Sequence, residues 1–294
     1  MITYQNGNYT VSINEKTGTK IREFDSIPNP IYPEAIDLKI TDYCDLGCPY
    51  CHEGSSIYGK HADLDYLFNI LKDLPAGTEI SVGGGNCLKH PELIPFLYNL
   101  TSIGLIPNIT VNALHLNRYQ YIINFLQENK LIYGLGITYN KAIDLTPFLN
   151  SNTVIHLVLG VHTIDDMYDL ISKYENLKVL LLGYKTKGRG INYKLKIQDT
   201  LEDNIYQWYT NLYKLFKASG LTLSFDNLAI SQLDVERFFE EEQYNTFYMG
   251  DDGLYTMYID GVSKEFSISS TNPHKNKIKH SNIKEIFHVV RHGA

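Results

Sequence analysis

Cysteine is scarce in this chain, with four residues in 294. That scarcity excludes the disulfide scaffold of a small secreted domain, which spreads many cysteines through a short sequence. An excess of positive charge is missing too: 26 Lys and Arg stand against 33 Asp and Glu, a formal net charge of −7. No global basic field draws the protein to nucleic acid or to an anionic membrane, so no extended nucleic-acid surface is expected. The N-terminal stretch lacks the apolar core of a signal peptide, and no run approaches the ~18 apolar residues of a spanning helix. These absences point to a cytoplasmic protein without a membrane partner. No repeat of supersecondary size and no low-complexity tract is visible. What remains is 44% hydrophobic and 20% charged, a composition that excludes disordered, collagenous and coiled-coil chains. At roughly 100–200 residues per domain, the length fits one large α/β domain with an appendage or two ordinary domains.

Turn signals at Asn6-Gly7 and Lys16-Thr17-Gly18 bracket Tyr9 to Ile13 and precede Ile21 to Phe24, which predicts an N-terminal β-hairpin. Pro28, Pro30 and Pro33 then forbid helix and mark an extended linker, so residues 1–34 form a preface. From residue 35 to 225 short apolar runs alternate with amphipathic segments. Strands are predicted at Ala35–Ile40, Glu79–Val82, Ile106–Val111, Tyr133–Thr138, Val154–Val161 and Lys178–Leu182. Helices are predicted at Asp63–Leu71, Pro91–Leu100, Arg118–Glu128 and Ile164–Tyr174, the last behind a Thr163 cap. This alternation predicts a parallel sheet with right-handed crossovers, an α/β core over residues 35–225. A helix near Leu201–Ala218 and a strand at Leu221–Phe225 close it. Residues 226–294 change character: Thr246–Met249 and Leu254–Ile259 flank Gly250-Asp-Asp-Gly253, a hairpin signal, and Ser281 is placed to cap a final helix over Ile283–Val290. These residues read as a small C-terminal α+β subdomain.

The cysteines that are present are concentrated. Cys44-Asp-Leu-Gly-Cys48-Pro-Tyr-Cys51 places three thiols on one loop, where the first strand ends and ligands of α/β sheets bind. Three thiolates suit a Zn site completed by His52 or another histidine, or an iron–sulfur cluster completed by a group that is not cysteine. A structural Zn site usually pairs two ligand duplets, and no second Cys/His duplet of suitable spacing follows.

The pattern C-x-x-x-C-x-aromatic-C at Cys44, Cys48, Tyr50 and Cys51 resembles the cluster motif of the radical S-adenosylmethionine (radical SAM) superfamily. The resemblance implies that the three cysteines hold a [4Fe–4S] cluster whose fourth iron is chelated by SAM, on a partial (β/α)6 TIM-like barrel over residues 35–225. A second segment, Ser81-Val-Gly-Gly-Gly-Asn-Cys-Leu-Lys-His-Pro-Glu-Leu93, resembles the family's Gly-Gly-Glu-Pro motif. Gly84, Gly85 and Asn86 fall on its Gly-Gly-Glu and imply a bare backbone facing the ammonium of SAM, with Asn86 in place of the acid. Cys87 stands at the motif's proline, as a hydrogen donor or ligand on one reading and a buried apolar thiol on the other. Thr110-Val-Asn112 and Gly136-Ile-Thr138 resemble the third- and fourth-strand motifs, so Asn112 and Thr138 are either SAM contacts or ordinary strand-end caps. Gly183-Tyr-Lys-Thr-Lys-Gly-Arg-Gly190 is a loop for a substrate anion or a solvated turn.

The C-terminal segment resembles the hairpin and last helix of the SPASM or twitch extension of peptide-modifying members, but no cysteine follows Cys87. No auxiliary cluster is therefore expected, which favours a redox-neutral cleavage or rearrangement. Asp226, Asn227, Asp251 and Asp252 offer paired acceptors for a guanine-like edge or an amine, or else serve only a turn and a helix cap. The resemblance then implies a lyase acting on a small molecule, a deazaguanine base split at a C–N bond as by queuine lyase. It also implies an external low-potential electron donor, a flavodoxin or ferredoxin. A peptide-modifying enzyme without auxiliary clusters is the alternative within the family. A non-catalytic Zn-binding protein is the alternative outside it.

Overall fold

The computed structural model describes residues 1–279 and 282–293. Strands β1 (Ile2–Asn6), β2 (Tyr9–Asn14) and β3 (Thr19–Glu23) form an antiparallel sheet of their own, in that order. The expected hairpin is thus three-stranded, because Thr19–Glu23 continues the alternation of β2 and pairs along it. β2 buries Tyr9, Val11 and Ile13 on one face, the period-2 pattern of a half-covered strand.

The second sheet begins with β4 (Ala35–Thr41), which α1 (Leu64–Leu71) separates from β5 (Glu79–Gly84). It continues through α2 (Leu93–Ser102), β6 (Ile106–Asn112), α3 (Ala113–Glu128), β7 (Gly134–Thr138) and β8 (Thr153–Val158). Next come α4 (Ile164–Lys173), β9 (Leu177–Leu182), α5 (Arg189–Lys196), α6 (Gln198–Leu215) and β10 (Leu221–Phe225). Strands β4 to β10 lie side by side in chain order, each parallel to the next. This is the parallel α/β sheet of a partial TIM-like barrel. Leu38, Ile80, Ile109, Ile137, Ile155 and Val179 on its strands are buried beneath the helices. The caps are local and chemical: Asp63 accepts from the Tyr66 amide at 2.9 Å, and Thr163 with Asp166 forms a reciprocal capping box at the start of α4.

The remaining elements are α7 (Asn227–Leu233), α8 (Glu241–Phe247), β11 (Thr256–Asp260), β12 (Glu265–Ser267), β13 (Asn276–Lys277) and α9 (Ile283–His292). Here the hairpin expected around Gly250-Asp-Asp-Gly253 is corrected. Thr246 belongs to α8, and β11 pairs in parallel with the open edge of β4, Thr256 opposite Ala35 through Asp260 opposite Lys39. The hairpin lies one element later, between β11 and β12, where the Asp260 carboxylate accepts from the amides of Val262 and Ser263, both at 3.0 Å. An unpaired β4 edge would leave a row of backbone donors and acceptors without partners, and β11 supplies them. Ser281 lies outside the described residues; Asn282 accepts from the Lys284 amide at 2.9 Å at the start of α9. Among the described residues no helix is long and apolar enough to cross a membrane.

Candidate active site

A cavity of about 300 Å³ opens inside the curved sheet at the C-terminal ends of its strands, lined from β4, β5, β6, β7, β8, β9 and β11 and roofed by the cysteine loop. Cys44, Cys48 and Cys51 all line it, half-buried and unpaired with one another. The loop's shape is held by main-chain bonds: the Cys44 amide donates to Ser56 at 2.9 Å and the Cys51 amide to Cys48 at 3.2 Å. Arg189, at the start of α5, clamps it from the far side, with Nε donating to the Cys48 carbonyl at 2.9 Å and Nη1 to the Ser55 carbonyl at 2.8 Å. Five guanidinium N–H donors in a rigid fork suit this two-point grip on a bare backbone. Burial pushes the Cys44 and Cys48 thiols up, so in the free chain both are protonated, and a bound metal would displace those protons. Three sulfur donors on one turn, open to a cavity, fit an iron–sulfur cluster with one iron left to another ligand.

The glycine run explains itself sterically. A Cβ on Gly85 would lie 2.1 Å from the Tyr43 carbonyl oxygen, and one on Gly84, which has φ +114°, 2.4 Å from that of Thr41. Both glycines therefore admit the start of the cysteine loop, while Gly83 has open space before it and gives the cavity its bare wall. Gly85→Ala is expected to displace the cysteine loop at a cost of roughly 3 kcal/mol, read as a lowered urea midpoint together with reduced iron retention. Wild-type values for both would show that the contact is not needed.

Other site expectations are distributed unevenly. Tyr50, Asn112 and Thr138 line the cavity, and Asn112 also accepts from the Leu114 amide at 3.0 Å, capping α3. Asn86 does not line it: its buried amide donates to Asp45 at 3.2 Å and its oxygen has no partner. Asp45 in turn bonds His115 at 2.9 Å and Arg118 at 2.7 Å. The ligand atoms of Cys44, Asp45 and His115 lie within 4.8 Å of one another. Neither Asp45 nor His115 is marked by the sequence pattern. His52, the expected fourth Zn ligand, faces Glu53 at 3.2 Å. Cys87 is 1% exposed, its thiol against the Thr110 carbonyl and pushed by burial up to about 12, which places it in the core rather than at the cavity.

The four residues expected to contact substrate serve local structure and do not line the cavity. Asp226 caps α7 through the Ala229 amide at 2.7 Å and accepts from Gly183 at 2.9 Å. Asn227 donates to Asp252 at 2.8 Å, and Asp251 accepts from Tyr248. Acidic and amide side chains next to turns satisfy nearby backbone and hydroxyl groups first. The anion-loop cations are also engaged: Lys187 donates to the Ser270 carbonyl at 2.6 Å, while Lys185 reaches the Ser270 hydroxyl at 3.2 Å and does line the cavity.

Sequence reasoning passed over the polar residues on the inward face of the strands, Asp37 on β4, Ser81 on β5 and His156 on β8, all of which line the cavity. For His156 the signal was present, a lone polar residue between Val154 and Val158 on the inward face of β8, whereas Asp37 shares its face of β4 with Lys39 and Thr41, and Ser81 its face of β5 with Glu79. Burial, with the nearby Lys185 charge, pulls His156 down to about 4 from an ordinary 6.5. The unfolded chain therefore takes up a proton between about pH 6.5 and 4 that folded His156 refuses. Stability is full above the upper value and falls as acid is added, by up to roughly 3 kcal/mol. Urea midpoints between pH 7 and 4 should show this slope, reduced in His156→Gln; an identical slope in both proteins would assign the loss to other groups.

No family model matches the chain. A curated relative, ATPase synthesis protein 25, mitochondrial, of Meyerozyma guilliermondii, is 29% identical over 111 residues, covering 33% of this chain and 18% of that one. That segment is too small a part of either protein to assign a family. The fold finds a fuller counterpart in SuiB of Streptococcus suis. Its structure bound to the precursor peptide SuiA superposes with a TM-score of 0.62 at 14% identity, over 88% of this chain and 65% of that one. The structure of SuiB bound to S-adenosylmethionine gives 0.56 at 14% identity, over 90% of this chain and 68% of that one. The two chains share a fold. This chain spans 65% of the SuiB chain in the peptide complex. The match corrects the expectation of a small-molecule substrate in preference to a peptide, because the partner on the shared fold is a precursor peptide.

Proposed function

We propose that this chain is a radical SAM enzyme that modifies a peptide. The observation that carries the reading is the meeting of Cys44, Cys48 and Cys51 with the bare wall at Gly83 in one cavity, at the C-terminal ends of parallel strands. Support comes from the shared fold, since SuiB has been solved both with S-adenosylmethionine and with its precursor peptide. Cys44, Cys48 and Cys51 would hold a [4Fe–4S] cluster which, once reduced by an external low-potential donor, would supply one-electron reducing chemistry toward the sulfonium of bound SAM.

The chain's own residues place and shield that chemistry. Cys44, Cys48 and Cys51 are the cluster ligands, and Arg189 fixes the turn that carries two of them. Tyr50, Gly84, Gly85, Asn112 and Thr138 form the cofactor wall, with Asn86 set behind it to orient Asp45. The enclosing strands exclude water, which a radical species needs if it is not to be quenched before reaching its target. No cysteine follows Cys87 within these 294 residues, so the C-terminal segment in hand offers no thiol ligand for an auxiliary cluster.

The test is anaerobic incubation with SAM and dithionite, with and without a panel of peptides, following 5′-deoxyadenosine. Peptide-dependent formation above the basal rate is expected. Colourless protein with bound zinc, or no 5′-deoxyadenosine under any condition, would rule the reading out.

A further inference from the structure

The floor of the cavity carries polar side chains that the chain itself leaves without partners. Asp37 and Ser81 are register neighbours on β4 and β5, Thr110 lies on β6 and His156 on β8. Among the described residues, no hydrogen bond or ion pair reaches the side chain of Asp37, Ser81 or Thr110. Nδ1 of His156, shielded from solvent, is likewise unpaired. Asp37 points from β4 into the cavity and is exposed there. Interior polar groups are almost always satisfied, because an unpaired one forfeits its hydration without return. Nδ1 of His156 is such a group, and the side chains of Asp37, Ser81 and Thr110 beside it are open to the cavity with no partner of their own, so this wall presents its polar atoms to whatever enters.

The geometry also shows that room has been made. A Cβ on Gly136 would stand 2.6 Å from Cε1 and 2.8 Å from Nε2 of His156, and 3.0 Å from Oγ1 of Thr110. Any residue but glycine at that position would expel the imidazole from the floor. The charges decide what the floor accepts. Of the charged side chains lining the cavity, Lys39 and Glu53 pair with each other at 2.9 Å, which leaves Asp37 and Lys185 to act on each other, with Asp226 and Asp252 adding negative charge near Asp37; among the described residues Lys185 is held by the Ser270 hydroxyl alone. A cation entering would meet Lys185 and an anion would meet Asp37. A neutral group that both donates and accepts meets neither, and finds an acceptor in Asp37 with two-way partners in Ser81, Thr110 and the neutral ring of His156.

We propose that Asp37, Ser81, Thr110 and His156 form a substrate subsite that takes a carboxamide side chain, its N–H groups donating to Asp37 and its oxygen accepting from the Thr110–His156 side. The assignment rests on the reading above that this cavity holds the peptide substrate.

The probes are propionamide, n-propylammonium and propionate, titrated into the full chain labelled with 13C at histidine Cε1. The His156 signal is assigned by its absence from His156→Gln. Propionamide is expected to move that signal saturably, with an affinity about tenfold above either charged probe, the value of one well-made hydrogen bond. Asp37→Ala should weaken propionamide about tenfold, and Asp37→Asn, which keeps an acceptor oxygen, should restore it to within about threefold. Ser81→Ala serves as the second variant if Asp37→Ala fails to fold, with a loss in the same direction. Equal response to the three probes, preference for a charged one, or indifference to Asp37→Ala and Ser81→Ala would overturn the subsite. Formation of 5′-deoxyadenosine by the unmodified chain is measured alongside. Amide selectivity without that product supports the subsite and removes the radical reading, whereas the product without selectivity removes the subsite alone.

Discussion

Cys48→Ala is expected to leave a folded protein with little bound iron and 5′-deoxyadenosine formation reduced more than about a hundredfold. Losing a mere supporting contact of a metal site typically costs 10–100-fold, and Cys48 is read as a direct ligand. The fold should tolerate the change, because two bonds hold the loop at this position through the Cys48 carbonyl, and the sulfur adds its contact with the Tyr50 side chain. Arg189 reaches that carbonyl at 2.9 Å, and the Cys51 amide donates to it at 3.2 Å. Alanine preserves both bonds. The variant therefore separates metal binding from folding: circular dichroism and urea midpoint stay near wild type while brown colour, iron content and product fall together. Full iron and full turnover in Cys48→Ala would remove the cysteine loop from the site.

The second large effect lies just outside the cavity's chemistry. Lys39, 7% exposed, sends its ammonium to three carboxylates: Asp42 at 2.6 Å, Glu53 at 2.9 Å and Asp260 at 3.1 Å. Burial alone would push this lysine down, but Glu53, Asp42 and Asp260 outweigh it and hold the ammonium above its ordinary range. Burial likewise acts to raise Glu53, yet His52 and Lys39 prevail and keep it ionised. The lysine thus joins the strand that carries the cysteine loop, the loop itself and the C-terminal strand β11. Lys39→Met fills similar volume but leaves three acids around a missing cation. Breaking a buried pair by deleting one partner costs roughly 3–5 kcal/mol, a large share of the ~5–15 kcal/mol that holds a domain folded. At the unfolding entropy of a chain this long, that corresponds to a melting point lower by about 5–8 °C. Calorimetry on Lys39→Met and on the double variant with Asp260→Asn checks it: removing one of the stranded acids should return part of the loss. A shift under about 1 °C in Lys39→Met would mean that water already screens the cluster.

The site was legible in the sequence wherever chemistry is packed into consecutive residues. Three thiols in eight positions and three glycines after a strand need no partner elsewhere to be noticed, and both reach the cavity. Asp226, Asn227, Asp251 and Asp252 misled for the same reason. Their residue types fit ligand binding, but each found a nearer hydrogen bond in its own turn or helix start. Asp45 and His115 bond across 70 positions, and Arg189 grips Cys48 across 141. Pairs that distant leave no mark in a local pattern.

By itself the sequence determined the order and type of the core elements other than α5, which begins at Arg189 inside the stretch read as a loop, because a period of two or of 3.6, a Thr163 cap or an Asp63 cap acts within a few residues of the chain. It also determined which residues can bind metal, since thiol chemistry belongs to the side chain wherever it sits. Only the tertiary structure decided that β11 would close the edge of β4, bringing Asp260 to Lys39 across 221 residues. It alone turned Asp37 and His156 from opposite strands onto one floor. Strand pairing and barrel closure are set by the competition of every free edge and every apolar face for cover, a contest among distant segments that no local window of sequence records.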